Sequence, residues 1–213
     1  MSITEFGKKI LGKIVRRSIM NTIEESKENI TGKRKALVLD RDGTLVEDTM
    51  YPHRIEDFKL LPGVIKGLKK LSKQFIFIII TNQSGIGRGI HTEEDMHNFN
   101  KKLVEELKKS NIEIKKVYFC PHTPEQLCEC RKPSDKYIKD AEKEFNIDLK
   151  NSWAVGDHPH DVEMGIKASC KTVYLLTGHG KGHKDGLKAK SIKPDFIAGD
   201  FLEAAEFIMK NSQ

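Results

Sequence analysis

Past residue 35 the apolar residues of this chain fall into short solid runs separated by stretches of helical spacing. Ala36-Leu37-Val38-Leu39 is an unbroken apolar run, as expected of a strand covered on both faces. Pro62-Gly63 opens a helix to about Lys73, with Val64, Leu68 and Leu71 on one side. Phe75 to Ile80 gives a second buried strand. Thr92 caps a long helix to about Ser110 that carries Met96, Phe99, Leu103 and Leu107. Val117-Tyr118-Phe119 is a third strand, Ser134 caps a helix to about Phe145, Trp153-Ala154-Val155 is a fourth strand, and a helix follows Asp161. Val173 to Leu176 and Asp195 to Ala198 make strands five and six, and a helix from about Leu202 to Met209 closes the pattern. This alternation predicts an α/β domain over residues 35–213, a doubly wound parallel sheet with helices on both faces. Ligands of such sheets bind outside the carboxyl ends of the strands.

Residues 1–34 read differently, as a basic amphipathic arm. At helical spacing Ile3, Phe6, Ile10, Leu11, Ile14, Val15 and Ile19 share a broad face opposite Lys9, Lys13 and Arg16, with Gly7 and Gly12 weakening the helix. Thr31-Gly32-Lys33-Arg34 reads as a polar linker. The charge confirms the division. The chain carries 37 basic and 31 acidic residues, net +6, of which residues 1–35 supply +5. The domain itself is therefore close to neutral, which argues against a nucleic-acid partner. The arm is suited to packing on the domain, to oligomerisation, or to peripheral contact with an anionic membrane. No apolar run reaches the roughly 18 to 20 residues of a membrane span, and the N-terminal cations lack a signal-peptide core, so the expected location is the cytoplasm.

Chemistry collects at four successive strand ends. The first strand runs into Asp40-Arg41-Asp42-Gly43-Thr44-Leu45, two carboxylates on a tight turn that are costly to bring together without a cation between them; alone, the segment also suits a solvated turn. The second runs into Thr81-Asn82-Gln83-Ser84-Gly85-Ile86-Gly87-Arg88-Gly89, a hydroxyl, amides and a Gly-rich backbone able to hold an anion, or an ordinary flexible loop. The third runs into Cys120-Pro121-His122 and then Cys128-Glu129-Cys130-Arg131-Lys132-Pro133. Three cysteines and a histidine within eleven residues read as a closed structural zinc site, the alternative being coincidental buried thiols. Cys170 is left over as a core residue. The fourth strand runs into Gly156-Asp157-His158-Pro159-His160-Asp161. A nucleophilic carboxylate, a second carboxylate, a hydroxyl, a lysine and a metal-binding acid together match phosphoryl transfer, where catalysis is positioning and charge neutralisation.

From about Lys35 to Asn211 these motifs resemble the haloacid dehalogenase (HAD) superfamily of phosphatases. Within it the chain is similar to the group holding D-glycero-D-manno-heptose 1,7-bisphosphate phosphatase and histidinol-phosphate phosphatase. The resemblance implies that Asp40 attacks phosphorus to form an aspartyl-phosphate and that Asp42 acts as general acid and then base. It implies that Thr81 and Lys132 hold the phosphoryl oxygens. Asp40, the Asp42 carbonyl and Asp157 would bind Mg²⁺, and Cys120, His122, Cys128 and Cys130 would bind Zn²⁺, stiffening the loop that carries Lys132. Asp161 is either an outer support of the magnesium site or a helix N-terminal acid, the second being preferred. Asp48, Tyr51, Asn82, Gln83, Ser84, Arg88, Arg131 and His158 are the expected substrate contacts; His158 stands where relatives often carry lysine. His160 is a further residue able to touch substrate, His179 and His183 fall in a solvated loop, and His91 and His97 on the surface.

Asp40 and Thr81 are 41 positions apart and Thr81 and Lys132 are 51, too few for a large cap, so short loops must shape the pocket. An open pocket suits a sugar bisphosphate. The Thr81–Gly89 loop and Tyr51 favour the heptose 1,7-bisphosphate 7-phosphatase branch, whereas five residues between His122 and Cys128 fit histidinol-phosphate phosphatase as well. A nucleic-acid 3′-phosphatase would need a basic groove with aromatic side chains. A non-catalytic, membrane-recruited module would have no use for the five residues Asp40, Asp42, Thr81, Lys132 and Asp157.

Overall fold

A computed structural model describes residues 32–212, so the amphipathic arm lies outside the described residues except for its last positions. Six strands form one all-parallel sheet: β1 (Ala36–Leu39), β2 (Ile76–Asn82), β3 (Ile114–Cys120), β4 (Trp153–Gly156), β5 (Lys171–Leu175) and β6 (Phe196–Ala198). Their spatial order is β3-β2-β1-β4-β5-β6. Among the described residues seven α-helices accompany them: α1 (Val64–Leu71), α2 (Ser84–Gly87), α3 (Glu93–Lys108), α4 (Lys136–Phe145), α5 (Pro159–Lys167), α6 (Gly180–Ala189) and α7 (Phe201–Lys210).

The period of two in the strands sorts the core into two layers. Leu37, Leu39, Phe77, Ile79, Trp153, Val155, Val173 and Leu175 face one side, against Val64, Leu68 and Leu71 of α1, Phe99, Leu103 and Leu107 of α3, and Phe201 and Ala205 of α7. Val38, Ile78, Ile80 and Ala154 face the other, against Ile138 and Ala141 of α4 and Met164 of α5. Tyr174 packs with Val162 and Leu187, bringing α6 onto that second side. Covering both faces explains why the strands read as solid apolar runs.

Register then fixes the functional edge. Leu39 pairs with Ile79 on one side and Val155 on the other, and the Asp40 N–H continues the ladder to the Val155 carbonyl at 3.0 Å. Asp40, Thr81 and Asp157 therefore lie within one residue of a common level at the carboxyl ends of three adjacent strands. Here the chain winds outward in opposite directions on either side of β1, the switch point at which such sheets open a crevice.

Local signals account for the helix starts. Thr92 forms a capping box: its N–H donates to Asp95 Oδ2 at 2.9 Å and its hydroxyl accepts from the Asp95 N–H at 3.1 Å. Three expectations need correction. The cap of α4 is Asp135 rather than Ser134, whose Oγ receives only the Lys136 N–H at 3.3 Å. Helix α5 starts at Pro159, two residues before Asp161, because proline suits the first helical position. The segment of His179 and His183, expected as a solvated loop, instead runs into helix α6, held by buried Leu187 and by the Tyr174 hydroxyl donating to the Gly180 carbonyl at 2.8 Å.

Candidate active site

A cavity of about 380 Å³ opens over the carboxyl ends of β1, β2 and β4. On its floor Asp40, Lys132, Asp157 and Asp161 are all buried. Lys132 Nζ donates to Asp40 Oδ1 at 2.5 Å and to the Ile80 carbonyl at 3.0 Å. It also lies 2.7 Å from Asp161 Oδ1, an ion pair whose orientation falls short of a hydrogen bond. Oxygens of Asp40, Asp157 and Asp161 come within 4.8 Å of one another.

Three carboxylates against one ammonium leave the floor short of positive charge. Burial pushes the Asp40 carboxyl up to about 6, with Asp161 adding to the rise and Lys132 opposing it. Burial, then Asp40 and Asp161, push Asp157 up to about 8. Burial pulls the Lys132 ammonium down, but Asp161 and Asp40 outweigh it and hold its pKa above the ordinary value. A hard cation among these oxygens would relieve the repulsion, so the donor set fits Mg²⁺. The turn packs closely on Asp157: a Cβ on Gly43, at φ 74°, would lie 2.2 Å from Asp157 Oδ2, and one on Gly178, at φ 49°, would lie equally near. Of the two suggested roles of Asp161, the structure shows the helix N-terminal one. Asp161 is the third residue of α5, where its Oδ2 accepts the His158 N–H at 3.0 Å, and its other oxygen faces Lys132.

Asp42 sits on the cavity wall under the hold of Arg41. The fully buried guanidinium donates from Nε to Asp42 Oδ1 at 2.6 Å and from Nη2 to Oδ2 at 2.8 Å. Arg41 is fixed in turn by Asn100 Oδ1 at 2.9 Å, by the Pro52 carbonyl at 3.0 Å and by the Phe99 ring beneath it. Neither Arg41 nor Asn100 was expected from sequence. Asn100 stands on the apolar stripe of α3 between Met96 and Leu103, and a polar residue on that stripe was the available signal.

The loop after β3 gathers Cys120, His122, Cys128 and Cys130. Sulfur separations are 3.1 to 3.5 Å, and His122 Nδ1 lies 3.4 Å from Cys130 Sγ and 3.7 Å from Cys120 Sγ. All four cysteines of the chain are free thiols. A tetrahedron with bonds of about 2.3 Å has edges of about 3.8 Å, so the cluster is close to the size of a zinc site. Burial raises the Cys120 thiol, whereas hydrogen bonds with Cys120 and Cys130 overcome burial at Cys128 and bring it down to about 7. Arg131 Nη1 donates to the His122 carbonyl at 3.0 Å, tying cluster to cavity.

The other expected contacts divide. Asp48, Tyr51, Asn82, Gln83, Ser84, Arg131 and His158 line the cavity; Arg88 is exposed and is not among its lining residues. Asn82 also clamps the Lys132 backbone, accepting its N–H at 3.0 Å and donating to its carbonyl at 3.4 Å. His158 is joined by His160, His179 and His183. Burial, chiefly, pushes His158 and His160 down to about 4, so both are neutral near pH 7. His179 caps α6 and pairs with Asp48 at 3.1 Å across the mouth. His91, expected on the surface, is buried and stacked on His53 with ring centroids 4.8 Å apart. His97 is exposed as expected, and Cys170 is buried.

Comparison with known proteins agrees with this arrangement. A HAD-hydrolase-like family model matches residues 129–204. The D-glycero-alpha-D-manno-heptose-1,7-bisphosphate 7-phosphatase of Campylobacter jejuni is 39% identical over 150 residues, covering 70% of this chain and 86% of that protein. The chain belongs to the heptose-1,7-bisphosphate phosphatase family of HAD-like hydrolases. It is thereby a phosphomonoester hydrolase. A beta-anomer-named relative from Haemophilus influenzae is 37% identical over 164 residues, covering 71% of this chain and 89% of that protein. The crystal structure of D,D-heptose 1,7-bisphosphate phosphatase from B. bronchiseptica, complexed with magnesium and phosphate, superposes with a TM-score of 0.75 at 26% identity, covering 83% of this chain and 99% of that one. The sheet described above is the fold of that relative. Among the described residues no helix is long and apolar enough to cross a membrane.

Proposed function

We propose that this protein removes the 7-phosphate of a D-glycero-D-manno-heptose 1,7-bisphosphate through an aspartyl-phosphate on Asp40, working in the cytoplasm, where the four thiols stay reduced. The observation that carries the reading is the convergence of Asp40, Asp157, Asp161 and Lys132 on one buried floor. Asp40 is the carboxylate leaving β1 into the cavity, and Thr44 Oγ1, 3.5 Å from its Oδ2, helps fix its rotamer. Lys132 supplies the charge that holds an incoming phosphoryl group, and Thr81 adds a hydroxyl from the neighbouring strand. Asp42 faces the same cavity and carries the proton to and from the departing oxygen.

Mg²⁺, held by Asp40, Asp157 and the Asp42 carbonyl with Asp161 behind, would neutralise the repulsion between a carboxylate nucleophile and a phosphate dianion. The magnesium in the solved relative supports this assignment. Zinc at Cys120, His122, Cys128 and Cys130 would be structural: four protein ligands leave no open position. Its work is to stiffen the segment that delivers Arg131 and Lys132.

The test is turnover with Mg²⁺ on a panel of both heptose 1,7-bisphosphate anomers, histidinol phosphate and 3′-phosphorylated DNA, alongside Asp40→Asn. Preference for a heptose bisphosphate and at least a thousandfold loss in the variant are expected, since an amide of nearly equal shape is a poor nucleophile. Preference for histidinol phosphate would overturn the substrate, and near-wild-type activity of Asp40→Asn would overturn the nucleophile.

A further inference from the structure

Gln83 lines the cavity, and its side-chain amide is also tied into the protein. Its side chain is buried with the residue 3% exposed, and its amide nitrogen has two partners within the protein. Nε2 donates to Asp42 Oδ2 at 2.8 Å and to Thr81 Oγ1 at 2.8 Å. A primary amide nitrogen has two hydrogens and no free lone pair, so each oxygen receives one of them. The amide cannot be turned over without loss, because Oε1 would then face the Asp42 carboxylate, acceptor against acceptor.

This fixes the direction of two other groups. Thr81 Oγ1 is already an acceptor from Gln83, so its own hydrogen is free to be donated elsewhere. Among the described residues no protein acceptor takes it, and Thr81 lines the cavity. A phosphoryl oxygen in the cavity is the acceptor it lacks. On the other side, Asp42 Oδ2 receives two hydrogens, from Gln83 and Arg41, while Oδ1 receives one. With two lone pairs on each oxygen, Oδ1 is the one with an acceptor position left. Arg41 cannot follow a moving Asp42, since Asn100 and the Pro52 carbonyl hold its guanidinium in place.

We propose that Gln83 is a positioning residue that sets two proton directions at once, turning the Thr81 hydroxyl hydrogen onto the bound phosphoryl group and leaving Asp42 Oδ1 as the oxygen that exchanges a proton with the leaving group. The Asp42 half rests on the phosphatase reading above; the Thr81 half requires only that phosphate binds. In this role Gln83 acts through Thr81 and Asp42, the partners of its amide nitrogen.

A double-mutant cycle separates this role from simple structural support. Inorganic phosphate is titrated calorimetrically into the Mg²⁺-loaded full chain as wild type, Gln83→Met, Thr81→Val and the double variant. Gln83→Met should weaken phosphate binding about tenfold, the scale of one hydrogen bond to a charged group. In the Thr81→Val background the same change should cost less than about twofold. Wild-type affinity in Gln83→Met, or losses that multiply in the double variant, would overturn the Thr81 half. For Asp42, Gln83→Met should lower kcat for a sugar phosphate at least about tenfold more than for p-nitrophenyl phosphate, whose good leaving group needs little acid help, with Asp42→Asn showing the same split. Equal losses on both substrates would overturn that half. If Gln83→Met does not fold, Gln83→Leu, which likewise removes the donor without adding charge, must show the same coupling to Thr81. The phosphate titration needs no turnover, so it decides the Thr81 half even if Asp40→Asn were to defeat the phosphatase reading.

Discussion

Magnesium should be worth more to this protein as the pH rises, and Asp157 sets the amount. In the metal-free protein its carboxyl is pushed up to about 8 from an ordinary 3.8 by burial, then by Asp40 and Asp161. The folded state therefore keeps a proton that the unfolded chain has given up. Its stabilising contribution is full below pH 3.8 and is lost as the pH climbs through about 8. Each fully linked pH unit corresponds to about 1.4 kcal/mol. Between pH 6.5 and 8, with the group half titrated at the upper end, the loss is about 1 to 2 kcal/mol. For a chain of this size that lowers Tm by about 3 to 6 °C. Below pH 6.5 the signal would be mixed. Asp40, pushed up to about 6, works in the same direction, whereas His158 and His160, pushed down to about 4, gain stability with rising pH. Comparing wild type with Asp157→Asn at each pH cancels the contributions the two proteins share. Melts without Mg²⁺ should show wild type losing stability relative to the variant from pH 6.5 to 8. Saturating Mg²⁺ should abolish the loss, because the ion replaces the proton. Parallel curves without Mg²⁺ would refute the charge-crowding account of the floor.

Two further outcomes follow from the zinc cluster and the arm. Purified protein should contain close to one zinc per chain, and Cys128→Ser should reduce both zinc content and activity through the segment bearing Lys132; no zinc on metal analysis, or full activity in the variant, would contradict this. Deleting residues 1–30 should leave turnover intact, since every proposed catalytic residue begins at Asp40; a large fall in kcat would show that the arm completes the site, while salt-sensitive sedimentation of the full chain with anionic vesicles would assign the arm to a membrane.

The sheet was legible because a parallel strand buried on both faces has to be apolar throughout, and Ala36–Leu39 and Ile76–Ile80 are such runs. Once the strands are placed, their carboxyl ends are too, so Asp40, Thr81, Lys132 and Asp157 could be brought together from sequence order alone. Helix α6 was not legible. It contains Gly180, Gly182 and Gly186, each costing about 1 kcal/mol in a helix, and only the contacts of Leu187 and Tyr174 show what offsets them. His91 was missed for a similar reason, since nothing in its neighbourhood reveals the stack with His53, 38 positions earlier.

The polar residues behind the site were harder still, because their partners are far apart in sequence. Arg41 reads as a spacer between two aspartates, and its meaning depends on Asn100, 59 positions away. Gln83 reads as one more loop amide until Asp42, 41 positions earlier, is seen against it. Charge makes such pairings compulsory. Asp42 leans against an arginine with no exposed surface, and Asp161 against a lysine that also serves Asp40. A buried ion left without its partner typically costs 3–5 kcal/mol. Arg41 and Lys132 are therefore fixed as firmly by the electrostatics of the floor as the core leucines are by packing. A reading by apolar period finds the strand ends where such a site can stand, but the counter-charges that make it stable are found only by asking where each buried carboxylate obtains its donors.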